Sequence, residues 1–326
     1  MTRALVISGG GSKGAFAVGA IQRLREAGIT WDLVVGTSTG ALIAPLITTD
    51  DIATLVQLYS TVTTEQILTP RGPIDIFTHD SLYDTTPLWH LIQDTITPEK
   101  YQQIVASPIA AYLTTVNLQT GTTVYWTQHQ SGPVGDPQTT ATPLDRPTFL
   151  RAMLASANQP VLMPLVEIRF DHQQYGDGGL HEVTPLKLPI ELGATIIEAI
   201  VLSPAQDSPV THVYTSIFAT LARVISLLVD NATVMDIQRA TLINQAIDYR
   251  NALLATATSL LTPTQRTTLF DNPANPDPFA PYALLTLHMI RPPQPLPTDG
   301  LTFDPPVLQQ MIQMGRQAAE QAMTTW

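Results

Sequence analysis

Within the first 50 residues the spacing of apolar positions changes period and then repeats the change. Ala4-Leu5-Val6-Ile7 is a continuous apolar run, apolar residues then recur at helical spacing from about Gly14 to Ala27, and the cycle begins again with DLVVGTS at 32–38 and a helical stretch from about Thr39. Short apolar runs alternating with helical spacing predict β-α-β-α units, a mostly parallel sheet with helices packed on it. The fold class read from this pattern is α/β.

Farther along, Asp50 or Asp51 caps a helix over DIATLVQLYSTV, and Thr97-Pro98 opens another over EKYQQIVA. IAAYLTTVNLQTGTTVYWT reads as two strands around the turn LQTG, and a polar, proline-containing loop covers 131–147. PTFLRAMLASA returns to helical spacing, PLVEIRF and QQYGDGG form a further strand pair, and ATIIEAIVLS is a core strand. Beyond residue 205 the chain is helical from ATLARVISLL to about Leu261, proline-rich from 271 to 306 around the strand candidate YALLTLHMI, and helical again in VLQQMIQMGRQAAEQAM. That last helix carries Val307, Met311, Met314 and Ala318 on one face, a stripe that fits core packing or, as the alternative, lipid docking. Residues 1–204 therefore read as the α/β domain, and 205–326 as a helical, proline-rich C-terminal region packing on it.

Charge narrows the partners. Sixteen lysines and arginines stand against 27 acids, a net charge of −11 in 326 residues, so attraction to nucleic acid or to anionic lipid is excluded and any lipid contact must be mainly apolar. The chain has no cysteine, which removes disulfides, thiolate metal sites and cysteine nucleophiles. Its first strand starts close to Met1, leaving no room for a cleavable leader, and its longest apolar stretches are too short to span a bilayer, ATIIEAIVL being broken by Glu198. The expectation is a cytoplasmic protein, peripheral to a membrane at most.

Candidate chemistry starts with glycine. Gly9-x-Gly11-x-x-Gly14 follows a strand as a dinucleotide fingerprint requires, but the acid that would hold a ribose at the end of the second strand is missing. In its place stands Gly36-Thr37-Ser38-Thr39-Gly40, a G-x-S-x-G between strand and helix: the pattern of a strained turn that presents a serine nucleophile, or of a serine that only caps the next helix. Ser38 follows a single earlier strand, which does not fit an α/β-hydrolase. The glycine turn at 9–11 lies at the end of the neighbouring strand, where its amides can face an ester oxygen near Ser38. Asp177, in Tyr175-Gly176-Asp177-Gly178-Gly179, supplies a carboxylate in a glycine-flanked loop, which by itself is also an ordinary turn.

Together these blocks resemble the patatin-like phospholipases. That family's G-G-G-x-R/K-G, G-x-S-x-G, A-S-x-x-x-P and D-G-G occur here in order as Gly9 to Gly14, Gly36 to Gly40, Ala155-Ser156-Ala157-Asn158-Gln159-Pro160 and Asp177-Gly178-Gly179. Lys13 stands where arginine is commoner. The resemblance covers about residues 4 to 202. It implies a three-layer α/β/α fold with a mostly parallel central sheet and a mainly helical C-terminal extension, and a Ser38–Asp177 dyad that hydrolyses carboxylic esters of acyl lipids through an acyl-serine. Amides of Gly9, Gly10, Gly11, Ser12 and Thr39 are the candidate oxyanion donors, with Lys13, Gly14, Gly36, Gly40, Gly178 and Gly179 in support. Valine at Gly11 is expected to harm turnover more than folding.

Ser156 and Pro160 are expected to support the site, and His181 to face away from Asp177; His79, His90 and His129 have no metal-ligand spacing. No metal or organic cofactor is implied. The partner is an acyl-lipid substrate presented at a membrane or micelle surface, with helices between residues 50 and 110 covering its acyl channel. Two alternatives stay open: a catalytically silent lipid-binding module on the same fold, and a dinucleotide-binding oxidoreductase.

Overall fold

Strands β1 (Thr2–Ile7) and β2 (Leu33–Thr37) carry apolar residues on both faces, so each is buried from both sides. Leu5, Ile7 and Val34 enter one core, and Ala4, Val6, Leu33 and Val35 enter a second on the far side of the sheet. Strands of this kind belong at the centre of a layered α/β protein. In the computed structural model, which describes residues 1–72, 74–75, 78–169, 171–205, 213–270, 276–279 and 282–326, they lie there.

Two short strands, β3 (Thr69–Pro70) and β4 (Tyr83–Asp84), pair only with each other. The main sheet is completed by β5 (Ala110–Asn117), β6 (Thr122–Thr127), β7 (Val166–Glu167), β8 (Gln174–Asp177), β9 (Ala194–Ile200) and β10 (Thr286–Ile290). Its order is β10-β9-β1-β2-β5-β8-β7, with β6 also pairing β5. The run from β10 to β5 is parallel, whereas β6 and β8 are antiparallel to β5.

Helices α1 (Gly14–Glu26), α2 (Thr39–Thr48), α3 (Ile52–Thr61), α4 (Thr86–Thr95), α5 (Pro98–Ala106) and α6 (Arg146–Ala157) contribute to the first core. On the other face lie α7 (Lys187–Glu191) and α8 (Ile217–Leu260), a helix of 44 residues that reaches the second core through Ala240. Helix α9 (Pro263–Phe270) follows, and α10 (Pro305–Met323) returns to the first core. The α/β/α layering and the helical C-terminal region match the expected fold class.

Several local expectations are refined. Asp51 is the residue that caps α3, its side chain accepting from the Thr54 amide at 3.2 Å. Only Thr286–Ile290 of the 282–290 strand candidate pairs with the sheet. Phe170 and parts of the proline-rich stretch lie outside the described residues. Glu198 survives inside β9 because Arg3 pairs with it at 2.6 Å, Trp31 donates its indole N–H at 2.9 Å and His288 lies at 3.3 Å; a buried carboxylate with those partners is compensated.

The buried face of α10 is Leu308, Met311, Ile312, Gly315 and Ala319, displaced by one residue from the expected stripe but still core packing. Here α10 crosses α1 with glycines in both helices at the contact. A Cβ on Gly315 would lie 1.9 Å from the Phe16 carbonyl oxygen, and one on Gly19 would lie 1.9 Å from that of Ile312. Gly315→Ala is therefore expected to destabilise the protein by about 1–3 kcal/mol through overpacking, against a helix-propensity gain of about 1 kcal/mol. A denaturant titration checks this, and a rise in midpoint would show that the helices do not touch so closely.

Candidate active site

Strand β5 brings the two candidate residues together. One of its edges pairs first with β2, Thr114 opposite Thr37, and then with β8, Thr115 opposite Asp177, while β6 occupies the other edge. Strands β2 and β8 thus run toward each other along one edge of β5 and end at adjacent residues. Ser38 follows the last residue of β2, and Asp177 is the last residue of β8.

Ser38 sits at φ 56° and ψ −123°, a strained conformation for a residue with a side chain, and α2 begins at the next residue. Its own side chain does not cap that helix. The turn is held from outside: the Ser38 amide donates to Ser156 Oγ at 3.0 Å, and Ser156 Oγ donates to the Thr114 carbonyl at 2.6 Å. Gly36 lies against the Gly40 carbonyl, and Gly40 against that of Ile7, so elbow, helix and β1 are in close contact.

Asp177 is almost wholly buried, and the Ser38 hydroxyl faces its carboxylate within hydrogen-bonding reach. Burial pushes its pKa up to about 6, opposed by the Gly179 amide, which donates to Oδ1 at 2.7 Å, and by Ser38. Its own amide donates to the Asn158 carbonyl at 2.9 Å, while the Pro160 ring packs over Gly176. Gly178 rests against the Thr114 carbonyl. The block 155–160 thus clasps both the serine turn and the aspartate turn without presenting a reactive group of its own. Asn158 was not singled out from the sequence; the signal lay inside the motif.

The glycine loop requires a correction. The Gly9 amide donates to the Val183 carbonyl at 2.9 Å and the Ser12 amide to the Gly300 carbonyl at 2.9 Å, so neither points at Ser38. The amides of Gly10 and Gly11 have no hydrogen-bond partner among the described residues, and Gly9, Gly10, Gly11, Ser38, Thr39 and Asp177 all line one cavity. Gly11 has φ +56°, and a Cβ there would lie 2.0 Å from the Gly300 carbonyl oxygen. Valine at Gly11 is consequently expected to reduce stability together with turnover, which a thermal melt beside a rate assay would register.

Lys13 lines the same cavity and makes no ion pair among the described residues. Gly14 packs against Thr39 and Tyr59, whose hydroxyls are hydrogen-bonded to each other. The His181 ring lies 3.2 Å from the Thr123 hydroxyl, to which Nδ1 is hydrogen-bonded, and no hydrogen bond joins it to Asp177 among the described residues. A second buried carboxylate reaches the loop after Asp177 from α8: Asp236 accepts the Thr184 amide at 2.9 Å, and burial beside Glu182 pushes its pKa up to about 7.

The cavity is about 1470 Å³, larger than the roughly 300–1000 Å³ of a drug-sized site. On the side of α2, α3 and α4 its wall is apolar, with Leu42 and Leu46 of α2, Leu55 and Leu58 of α3, and Leu88, Leu91 and Ile92 of α4, whereas α8 and the 298–299 turn add the polar Arg223, Ser226, Asp230, Asn231, Thr298 and Asp299. A hydroxyl against a partly desolvated carboxylate, two unpaired amides and a long apolar chamber suit proton transfer coupled to attack on a carbonyl of an extended apolar molecule.

The sequence matches the family described as patatin-like phospholipase over residues 5–190. Among solved structures the chain is similar to VipD from Legionella pneumophila, at 12% identity and a TM-score of 0.48, covering 99% of this chain and 67% of that one. It is also similar to the type III effector protein ExoU, at 13% identity and a TM-score of 0.40, covering 99% of this chain and 53% of that one. No curated protein matches it.

Proposed function

From the premise that the chain belongs to the patatin-like phospholipase family, we propose that it hydrolyses carboxylic esters of acyl lipids with Ser38 as nucleophile and Asp177 as general base. Ser38 Oγ attacks the acyl carbonyl carbon while its proton passes to the Asp177 carboxylate. The tetrahedral oxyanion is held by the Gly10 and Gly11 amides, with the Thr39 amide at the start of α2 as a third donor. Collapse expels the alcohol, which takes the proton from Asp177 and leaves an acyl-serine. Water then gives a proton to Asp177 and attacks the acyl carbon, and collapse releases the fatty acid as Ser38 Oγ takes that proton back from Asp177, restoring serine and carboxylate.

The observation that carries this reading is the placement of the strained Ser38 against the buried Asp177 at the abutting ends of β2 and β8. A serine that served only to cap α2 has no need of positive φ. Nor does a silent lipid-binding module have a use for a desolvated carboxylate at that serine. A dinucleotide site is disfavoured because the Ser12 amide is already bonded to Gly300, whose carbonyl covers the outer side of Gly11. The test is fluorophosphonate labelling followed by peptide mapping: label on Ser38 alone supports the acyl-serine route, and a folded, unlabelled protein rejects it.

Asp177 must be ionised to accept a proton. Its pKa of about 6 means that kcat/KM is expected to rise with pH through a single ionisation near 6 and to level above it. A pH–rate profile with a soluble p-nitrophenyl ester checks this, and a limb centred near 7 or higher would point to a histidine base instead.

A further inference from the structure

Helix α8 has two apolar faces. One packs on the protein through the buried Thr233, Ala240 and Ile247. On the other side, about 150° round the helix, Leu228, Met235, Leu242, Tyr249, Leu253 and Leu260 fall within an arc of about 60°, and each is 44–76% exposed. The helix's acids, Asp230, Asp236 and Asp248, project outside this arc, and Arg239 borders it. From Leu228 to Leu260 the stripe is about 48 Å long. A continuous exposed apolar strip opposite a packing face marks a surface that something covers.

What covers it is indicated by where it leads. Leu228 and Met235 belong both to the stripe and to the wall of the cavity that holds Ser38. Leu180 and Tyr214 also line that cavity while remaining 47% and 36% exposed, so apolar side chains from separate segments stand at its mouth beside the exposed polar Asn231 and Asp299. Resting on the reading of that cavity as an acyl-lipid site, the geometry points to α8 as the element that lays the protein on a lipid surface. Leu242, Tyr249, Leu253 and Leu260 seat at the headgroup boundary, and Leu228 and Met235 border the port through which an acyl chain passes. No helix of the described residues is long and apolar enough to cross a membrane, so α8 lies along the surface. With a net charge of −11, the surface that suits the protein is electrically neutral. Attachment is by apolar burial, insensitive to salt and opposed by anionic lipid.

Co-sedimentation with phosphatidylcholine vesicles, and with vesicles half phosphatidylglycerol, tests this at low and high salt. The wild type is expected to pellet with phosphatidylcholine at both salt concentrations and less with the anionic vesicles at low salt. The variant Leu242→Glu/Tyr249→Glu/Leu253→Glu is expected to pellet and to hydrolyse vesicle lipid at least about tenfold less, with turnover of soluble p-nitrophenyl butyrate unchanged. Wild-type protein that stays in the supernatant, or a triple variant that pellets like it, overturns the proposal. So does a wild-type dimer that the triple substitution splits without changing pelleting, which assigns the stripe to a second copy of the chain. If the variant does not fold, the dependence of wild-type pelleting on salt and lipid charge still decides. Vesicle binding with neither ester hydrolysed leaves the docking face standing and removes the hydrolase reading instead.

Discussion

Ser38→Ala is expected to lower kcat/KM for a soluble ester by about 10³-fold or more while leaving the fold intact. No other residue shares the position: Ser38 is held at positive φ at the start of α2, facing a buried carboxylate, and lines one cavity with Gly10 and Gly11. The neighbouring Ser156 cannot replace it, because its hydroxyl is bound between the Ser38 amide and the Thr114 carbonyl. Stability should respond in the opposite sense when the backbone is relieved. Glycine tolerates φ 56°, so Ser38→Gly is expected to be inactive and more stable by about 1 kcal/mol. The measurement is a rate assay paired with thermal melts of wild type and both variants. Retention of more than a tenth of wild-type activity by Ser38→Ala would remove the serine from the chemistry.

Asp177→Asn is the second large effect, and it separates catalysis from folding more sharply. The amide keeps an oxygen for the Gly179 N–H but cannot accept the serine proton, so turnover is expected to fall by about 10³-fold or more. Stability moves the other way with a defined pH dependence. A carboxyl group whose pKa is about 6 when folded and near 4 when unfolded is held preferentially in its protonated form by the fold. Its contribution is therefore most favourable below pH 4, is lost as pH rises from about 4 to 6, and stays lost above. Two pH units correspond to up to about 3 kcal/mol, which the neutral asparagine never forfeits. The variant should melt above the wild type at pH 8, and the gap should narrow toward pH 4.5. An equal gap at both values would show that burial of the charge is not its source.

Ser38→Gly and Asp177→Asn are both expected to trade activity for stability, the usual mark of a site held away from its most stable arrangement. The fold was legible where local pattern is strong: the uninterrupted apolar runs of β1 and β2 read as central strands, β9 read as a core strand despite Glu198, and the spacing of α1, α2 and α6 left little alternative. The juxtaposition of Ser38 and Asp177 was legible because glycine, serine and aspartate stand in short motifs whose order along the chain carries information. What stayed hidden depends on partners far away in sequence. Counting glycines in the 9–14 loop says how many amides it has, but not that Val183 takes one and Gly300 another. Asn158 acts through its backbone carbonyl, so its place as a variable position of the 155–160 block does not mark its role, and Asp236 accepts the Thr184 amide from far along the chain, outside any motif. The α10 stripe was displaced by one residue because its register is set by the glycine contact with α1, which periodicity does not encode.

The Gly300 carbonyl that fastens the glycine loop also sets an order of events in time. A ribosome delivers Ser38 and Asp177 well before Gly300, so a growing chain carries its proposed nucleophile and base, and Val183 can take the Gly9 amide, while the Gly300 anchor of the Ser12 amide is still missing. The loop takes its full set of bonds only once residues 298–300 have emerged and docked. On the proposed mechanism a nascent chain is expected to stay inactive until late in its synthesis, and a chain cut short before Gly300 is expected to hydrolyse no ester.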